Sequence, residues 1–253
     1  MKRKGVSASG RIGARPKLEH CAVSPKPRYA GSPARPLVVF CDFDGTIAEQ
    51  ELILQIFERF CPPGWETIAR AVGERRKPVG EGIAELCGLI PSSKKDEIIA
   101  FAKGAIRFRD GFLEFLKFCR PNGLQFNVCS GGVDFFIQPI LEPYTEYIDH
   151  IYSMAANLSG DRIRLQTTDS CDTCGLCKAK VMARHPGTIR ILIGDGVTDV
   201  HGAREASLVF ARGKLRGYLD QDGIPYQSFE SFHDIIGALS RFQGKPHEDQ
   251  VGC

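Results

Sequence analysis

Two carboxylates, Asp42 and Asp44, stand two residues apart directly after the apolar run Leu37-Val38-Val39-Phe40. That run reads as a short strand buried on both faces. Successive strand side chains alternate in direction, so residues i and i+2 point the same way. Both carboxylates are thus expected to face a crevice at the carboxyl end of a parallel sheet, where open α/β sheets bind ligands. Gly45 lets the chain turn there and lets a ligand approach the backbone. Two carboxylates this close resist ionising together unless a cation or a shared proton intervenes. With a divalent metal present, Asp42 could act as a nucleophile and Asp44 as acid and base. A lone Asp-x-Asp-Gly would equally be an ordinary strand-end turn, so the reading depends on partners elsewhere.

Candidate partners follow three later stretches. Ser130-Gly131-Gly132 ends an apolar segment at 124–129 and offers a hydroxyl and backbone N–H groups to an anion; alone, it is also a flexible turn. Lys178 and Lys180 fall in a helical segment over 177–185. They lie about 200° apart around a helix, so one can face the crevice while the other meets solvent; Lys178, nearer the helix start, is favoured. Gly194-Asp195-Gly196-Val197-Thr198-Asp199 follows the apolar run Arg190-Ile191-Leu192-Ile193 and adds two further carboxylates, Asp195 and Asp199.

The elements that must position these groups read as an α/β fold: a Rossmann-like parallel sheet flanked by helices, with a small helical cap inserted after the first strand. Core segments are expected at 36–47 and 108–245, and the cap at 48–107. Leu52, Ile53, Ile56, Phe57 and Phe60 recur at helical spacing, and Cys61-Pro62-Pro63-Gly64 breaks that helix. Further helices are expected at 65–72, 80–89 and 92–105, the last capped by Ser92 or Ser93. A helix over 109–118 precedes the strand at 124–129, and another follows it through Leu141. Short strands at 147–152, 161–165 and 207–210 and a closing helix at 229–242 complete the reading.

The 253 residues carry a net charge of +3, but residues 1–36 hold nine Lys/Arg and one acid, Glu19. The remainder is therefore mildly acidic, and the folded part gives no argument for nucleic-acid binding. Residues 1–35, rich in Lys, Arg, Ser, Gly and Pro, read as a disordered tail, and 246–253 as a frayed end. The tail also fits an organellar transit peptide, a nucleic-acid arm or an early start codon. No apolar run spans a membrane and no secretory signal is visible, so a cytoplasmic protein is expected. Most of the ten cysteines lie within apolar runs and read as reduced small hydrophobes. Cys171, Cys174 and Cys177 are clustered; they could bind zinc with His185 or another ligand. With no fourth ligand evident, packed, reduced thiols are the preferred reading.

Asp42-Phe43-Asp44-Gly45-Thr46, Ser130-Gly131-Gly132, Lys178 and Gly194-Asp195-Gly196-Val197-Thr198-Asp199, in this order, resemble the four motifs of the haloacid dehalogenase-type phosphohydrolases. The resemblance implies a Mg²⁺-dependent phosphomonoesterase acting on a small phosphorylated metabolite through an aspartyl-phosphate. It implies Asp42 as nucleophile, Asp44 as acid and base, and Lys178 as charge neutraliser. Ser130, Gly131 and Gly132 would bind phosphate. Asp42, Asp195 and the Asp44 backbone carbonyl would hold the metal, and Asp199 would bind a metal-bound water or hold Lys178. A cap between the first two motifs resembles the phosphoserine-phosphatase-like branch. Cys61-Pro62-Pro63-Gly64-Trp65, Leu89-Ile90-Pro91-Ser92-Ser93, Ser130-Gly131-Gly132-Val133-Asp134-Phe135-Phe136 and Cys174-Gly175-Leu176-Cys177-Lys178 resemble the methionine-salvage phosphatases in particular, which release phosphate from an enol phosphate. Trp65 is then a candidate for packing on a methylthio group, or is simply cap core. A phosphoserine or sugar-phosphate phosphatase is the alternative, with Arg70, Arg75 or Arg76 and Glu74 or Glu81 holding a zwitterion. A non-catalytic binding module is disfavoured because Asp42, Asp44, Lys178 and Asp195 are all intact.

Overall fold

The computed structural model describes residues 35–166, 169–171 and 173–243. The tail read over 1–35 lies outside them except for Arg35, and so does the frayed end read over 246–253.

Among the described residues, seven strands form one sheet: β1 (Leu37–Cys41), β2 (Leu124–Val133), β3 (His150–Asn157), β4 (Arg164–Gln166), β5 (Ile189–Gly194), β6 (Leu208–Ala211) and β7 (Gln227–Ser228). Their order is β4-β3-β2-β1-β5-β6-β7. All neighbours are parallel except β3 and β4, which form an antiparallel pair at one edge. β1 lies between β2 and β5, which lead the chain to opposite sides of it, so the crevice beside β1 is the switch point where such sheets bind ligands.

Both faces of β1 are covered, which is why its sequence is apolar without alternation. Val39 and Cys41 pack toward α5 (Phe112–Cys119), α6 (Asp134–Leu141) and α10 (Phe232–Gln243). Val38 and Phe40 pack toward α7 (Lys178–Ala183), α8 (Val200–Glu205) and α9 (Gly213–Asp222). Register aligns Cys41 with Val128 on β2 and with Ile193 on β5. The residues that follow in all three strands therefore emerge at one edge.

Four helices, α1 (Leu52–Phe60), α2 (Trp65–Gly73), α3 (Val79–Gly88) and α4 (Lys95–Ala105), fill the stretch after β1. The chain leaves and re-enters the sheet side by side: Ala48 bridges Phe108, Glu49 N–H donates to Arg107 O (2.9 Å), and Arg109 N–H donates to Ile47 O (2.8 Å). No helix among the described residues is long and apolar enough to cross a membrane.

Several local expectations are corrected. The Ser92–Lys94 segment is a 3-10 turn, and α4 begins at Lys95 without a side-chain cap from Ser92 or Ser93. β2 runs on through Ser130-Gly131-Gly132, with its pairing to β3 irregular between Cys129 and Val133, where a strand-to-helix turn is expected from sequence. The third strand starts at His150, not residue 147. α9 and β7, unsignalled by apolar periodicity, precede α10.

An aromatic cluster anchors α5 and α10 to the sheet. The fully buried Phe232 has ring centroids 5.3 Å from Phe115, 5.5 Å from Phe112 and 6.3 Å from Phe229. Phe232→Ala is expected to lower unfolding free energy by about 3–5 kcal/mol in urea titrations. Leu54→Ala, at a site 44% exposed, should stay within about 0.5 kcal/mol of wild type.

Candidate active site

Asp42 follows β1 in extended conformation (φ −69°, ψ 160°), with its N–H still donating to Ile193 O at 2.9 Å. Strand alternation therefore still holds at Asp42, which shares the face of Val38 and Phe40, the face covered by α7. Lys178 opens α7, and its side chain is wholly buried. Its ammonium lies 2.8 Å from Asp42 Oδ1 and 2.7 Å from Asp199 Oδ1. Burial works against that charge, but Asp199 and Asp42 outweigh it and hold the Lys178 pKa above its ordinary value. Lys180, two residues further along α7, is exposed and donates to Ser170 O.

Asp199 sits in the 3-10 turn Val197–Asp199 after β5 and is fully buried. Its Oδ1 faces the ammonium, and its Oδ2 accepts the N–H groups of Asp195 and Gly196, both at 3.0 Å. The approach requires glycine at 194: a Cβ there would lie 2.3 Å from Asp199 Cγ. Carboxylate oxygens of Asp42, Asp195 and Asp199 lie within 4.8 Å of one another. Three carboxylates face one ammonium, so negative charge is in excess. Burial, then Asp199 and Glu51, pushes the Asp195 carboxyl up to about 7, against the hydrogen bond that Thr46 Oγ1 donates to it at 3.2 Å. Burial likewise raises Asp42, with Lys178 opposing and Asp199 and Asp195 adding to the rise. A group of hard oxygen donors short of positive charge has the chemistry of a site for a small divalent cation.

Asp44 departs from the sequence reading. The backbone leaves the strand at Phe43, so the same-face rule fails two residues on. The Asp44 carboxylate instead accepts the N–H groups of Leu52 (2.6 Å) and Ile53 (3.4 Å), at the start of α1. Burial, then Glu51, raises its pKa to about 7 despite those two donors. The turn closes at Gly45 (φ +74°), where a Cβ would come within 2.4 Å of Asp195 Oδ2. Ser130 is buried two residues beyond Val128, the register partner of Cys41, and its Oγ accepts the Gly132 N–H at 2.9 Å. That leaves its hydroxyl proton free to donate.

Two arginines went unseen in the sequence. Arg109 donates from Nε to Thr46 O (2.7 Å) and from a terminal nitrogen to Gly45 O (2.8 Å); Arg212 donates to the same Gly45 O at 2.8 Å. Both brace the turn after Asp42, from segments distant in sequence. The only available signal was their position, just before α5 and just after β6. Of the other candidates, Trp65 packs on Phe57 (ring centroids 6.4 Å apart) within the helical block. Arg76 pairs with Glu74, Lys77 lies 3.6 Å from Glu81, and Arg75 covers the Tyr218 ring at 4.7 Å.

A doubly wound sheet with an aspartate after β1, a buried lysine at the start of α7 and an acidic turn after β5 defines a class, and residues 39–204 match the haloacid dehalogenase-like hydrolase family. The chain belongs to that family. It is 39% identical to the 2-hydroxy-3-keto-5-methylthiopentenyl-1-phosphate phosphatase of Brevibacillus brevis, over 83% of this chain and 98% of that one. It is 38% identical to the protein of the same name from Geobacillus kaustophilus, over 82% and 97%. Among solved structures, a phospho-aspartyl intermediate analogue of phosphoserine phosphatase superposes with a TM-score of 0.59 at 17% identity, covering 81% of this chain and 99% of that chain. A substrate-bound phosphoserine phosphatase complex does so with a TM-score of 0.61 at 15% identity, covering 82% and 99%. At those identities the likeness is one of fold. Phosphatases of this family generally depend on Mg²⁺.

The buried ion triad makes a stability prediction that separates the two lysines. Asp199→Ala removes one partner of a desolvated ammonium and strands two N–H groups. It should cost about 3–5 kcal/mol in urea unfolding under metal-free conditions, whereas Lys180→Met should cost less than about 0.5 kcal/mol.

Proposed function

We propose that the chain is a Mg²⁺-dependent phosphomonoester hydrolase that acts through an aspartyl-phosphate and releases phosphate from 2-hydroxy-3-keto-5-methylthiopentenyl-1-phosphate, a reaction of methionine salvage. The near-full-length identity to phosphatases of that name carries the choice of substrate. The chemistry is supported by the Asp42 carboxylate held against a buried ammonium at the sheet's switch point.

Asp42 and Asp195 would hold the cation, with the Asp44 backbone carbonyl. Bound Mg²⁺ would supply the positive charge that lets an anionic phosphate approach a carboxylate. Asp42 attacks phosphorus in line, and the ester P–O bond breaks. Asp44, with a pKa near neutrality, gives its proton to the departing oxygen. It then takes a proton from the water that hydrolyses the aspartyl-phosphate. Lys178 offsets charge on Asp42 and on the phosphoryl oxygens, and the Ser130 hydroxyl with the N–H groups of Gly131 and Gly132 covers those oxygens. Asp199, with both oxygens engaged, acts by holding Lys178.

The helices of 48–107 serve in this reading as a cap over the crevice. Asp44 accepts N–H groups from the first of them, so the position of the acid is coupled to that of the cap. The phosphoserine alternative draws less support. Of the side chains put forward for a zwitterion, Arg76 pairs with Glu74, Glu81 lies beside Lys77 and Arg75 covers the Tyr218 ring, which leaves Arg70 to serve that role.

A panel of phosphate esters assayed with and without Mg²⁺ tests the reading. The enol phosphate should give the highest kcat/KM, EDTA should abolish turnover, and Mg²⁺ should restore it. Asp42→Asn should lower kcat more than about a thousandfold. A higher kcat/KM for phosphoserine would overturn the substrate, and an active Asp42→Asn would overturn the mechanism.

A further inference from the structure

The described residues hold a second group of converging metal-ligand side chains, away from the carboxylates: Cys171, Cys174, Cys177 and His201, with ligand atoms all within 4.8 Å of one another. The sequence offered three thiols without a fourth ligand. The structure brings in His201, from α8. His185, the histidine that the sequence put forward, is elsewhere: it packs edge-on to Phe40 (ring centroids 5.2 Å apart) and meets the Tyr152 hydroxyl at 3.2 Å.

We propose that Cys171, Cys174, Cys177 and His201 form a structural zinc site. Three thiolates and one imidazole are a full tetrahedral set with no open position, the composition of structural rather than catalytic zinc. A tetrahedron with Zn–S near 2.3 Å and Zn–N near 2.0–2.1 Å has S···N edges of about 3.6 Å and S···S edges of about 3.8 Å. His201 Nδ1 lies 3.6 Å from Cys171 Sγ and 3.7 Å from Cys174 Sγ, which matches. Cys171 and Cys174 Sγ are 2.8 Å apart, so zinc would part them by about 1 Å. A disulfide between those two would leave the convergence of Cys177 and His201 unexplained. On binding, the three thiols release their protons to solvent and their sulfurs ligate the ion, with no change in oxidation state.

The site's place in the chain gives it a purpose. Cys177 immediately precedes Lys178, and His201 follows Asp199 by two residues. Two of the four ligands thus flank the two residues that form the 2.7 Å ion pair. On its other side the cysteine loop reaches α3, where Val79 N–H donates to Thr173 O at 3.1 Å. Zinc would fix α7 against α8 and hold the loop against the helical block. The four ligands act by positioning Lys178 and Asp199.

The test is the metal content of the full chain, purified under reducing conditions without added metal and dialysed against metal-free buffer. About one zinc per chain is expected, retained in Asp42→Asn and reduced to below about a tenth of an equivalent in Cys171→Ser and in His201→Ala. Cobalt exchanged into the wild-type chain should show the intense visible bands and thiolate charge transfer of a tetrahedral cysteine site, which a carboxylate site would not. Zinc-free wild-type protein that takes up no cobalt with these bands would overturn the proposal. So would a Cys171–Cys174 disulfide found by alkylation and mass spectrometry in the protein as purified, or loss of the metal in Asp42→Asn. All of these readouts are independent of activity, so they stand whether or not the phosphatase reading does.

Discussion

One interaction organises this molecule: an ammonium group with no solvent exposure, lodged between two carboxylates. Taking such a charge out of water costs several kcal/mol, and only close, well-aligned partners offset it. Asp42 Oδ1, hydrogen-bonded at 2.8 Å, and Asp199 Oδ1, in charge contact at 2.7 Å, lie close enough to offset it together. They can do so only if the end of β1, the start of α7 and the turn after β5 are brought together within a few tenths of an ångström. The surrounding structure reads as a set of devices for doing so. The register of β1 with β5 is one. The absence of a Cβ at Gly194, where any side chain would overlap the Asp199 carboxyl group, is another. The two N–H groups that fasten Asp199 are a third.

What was legible in the sequence follows from the range of the interactions that set it. β1 and β5 could be read because strands buried on both faces must be apolar throughout, and nothing distant changes that. Asp42, Lys178, Asp195 and Asp199 could be read because each follows or opens an element whose pattern is local. The same-face expectation for Asp44 fails because it carries strand alternation past Asp42, whereas the backbone leaves the strand at Phe43. Its carboxylate was captured by free N–H groups of a helix start, a pull that only the folded chain reveals. Ser130 reads as part of a turn because Gly-Gly weakens a strand, yet β2 resumes its pairing with β3 at Val133, beyond the irregularity that follows Cys129. The short β7 and the mostly polar α9 had no periodicity to betray them.

Arg109, Arg212 and His201 belong to a different kind of blindness. Each meets partners distant in sequence: the backbone carbonyls of Gly45 and Thr46 for the arginines, and thiols 24 to 30 residues away for the histidine. A lone arginine beside a turn or a lone histidine on a short helix is indistinguishable, in a sequence, from a solvated surface residue. Their common feature is spatial, since all three tie together segments that meet at the carboxyl edge of the sheet.

That distribution says where precision is kept in this fold. The apolar clusters on the two faces of the sheet set its existence, and they tolerate exchange among similar residues. The alignment of charges at the edge is set instead by a small number of polar ties: Arg109 and Arg212 on the turn after Asp42, Asp199 on the turn after β5, and the cysteine loop leading into Lys178. Because hydrogen bonds to backbone are directional while apolar contact is not, the ties rather than the core decide whether the ammonium and its carboxylates meet. The helical block is bound into the same system through Asp44 at α1 and Thr173 at α3. A displacement of those helices would therefore be felt by the carboxyl group with a pKa near 7 at one end and by the loop that carries Lys178 at the other.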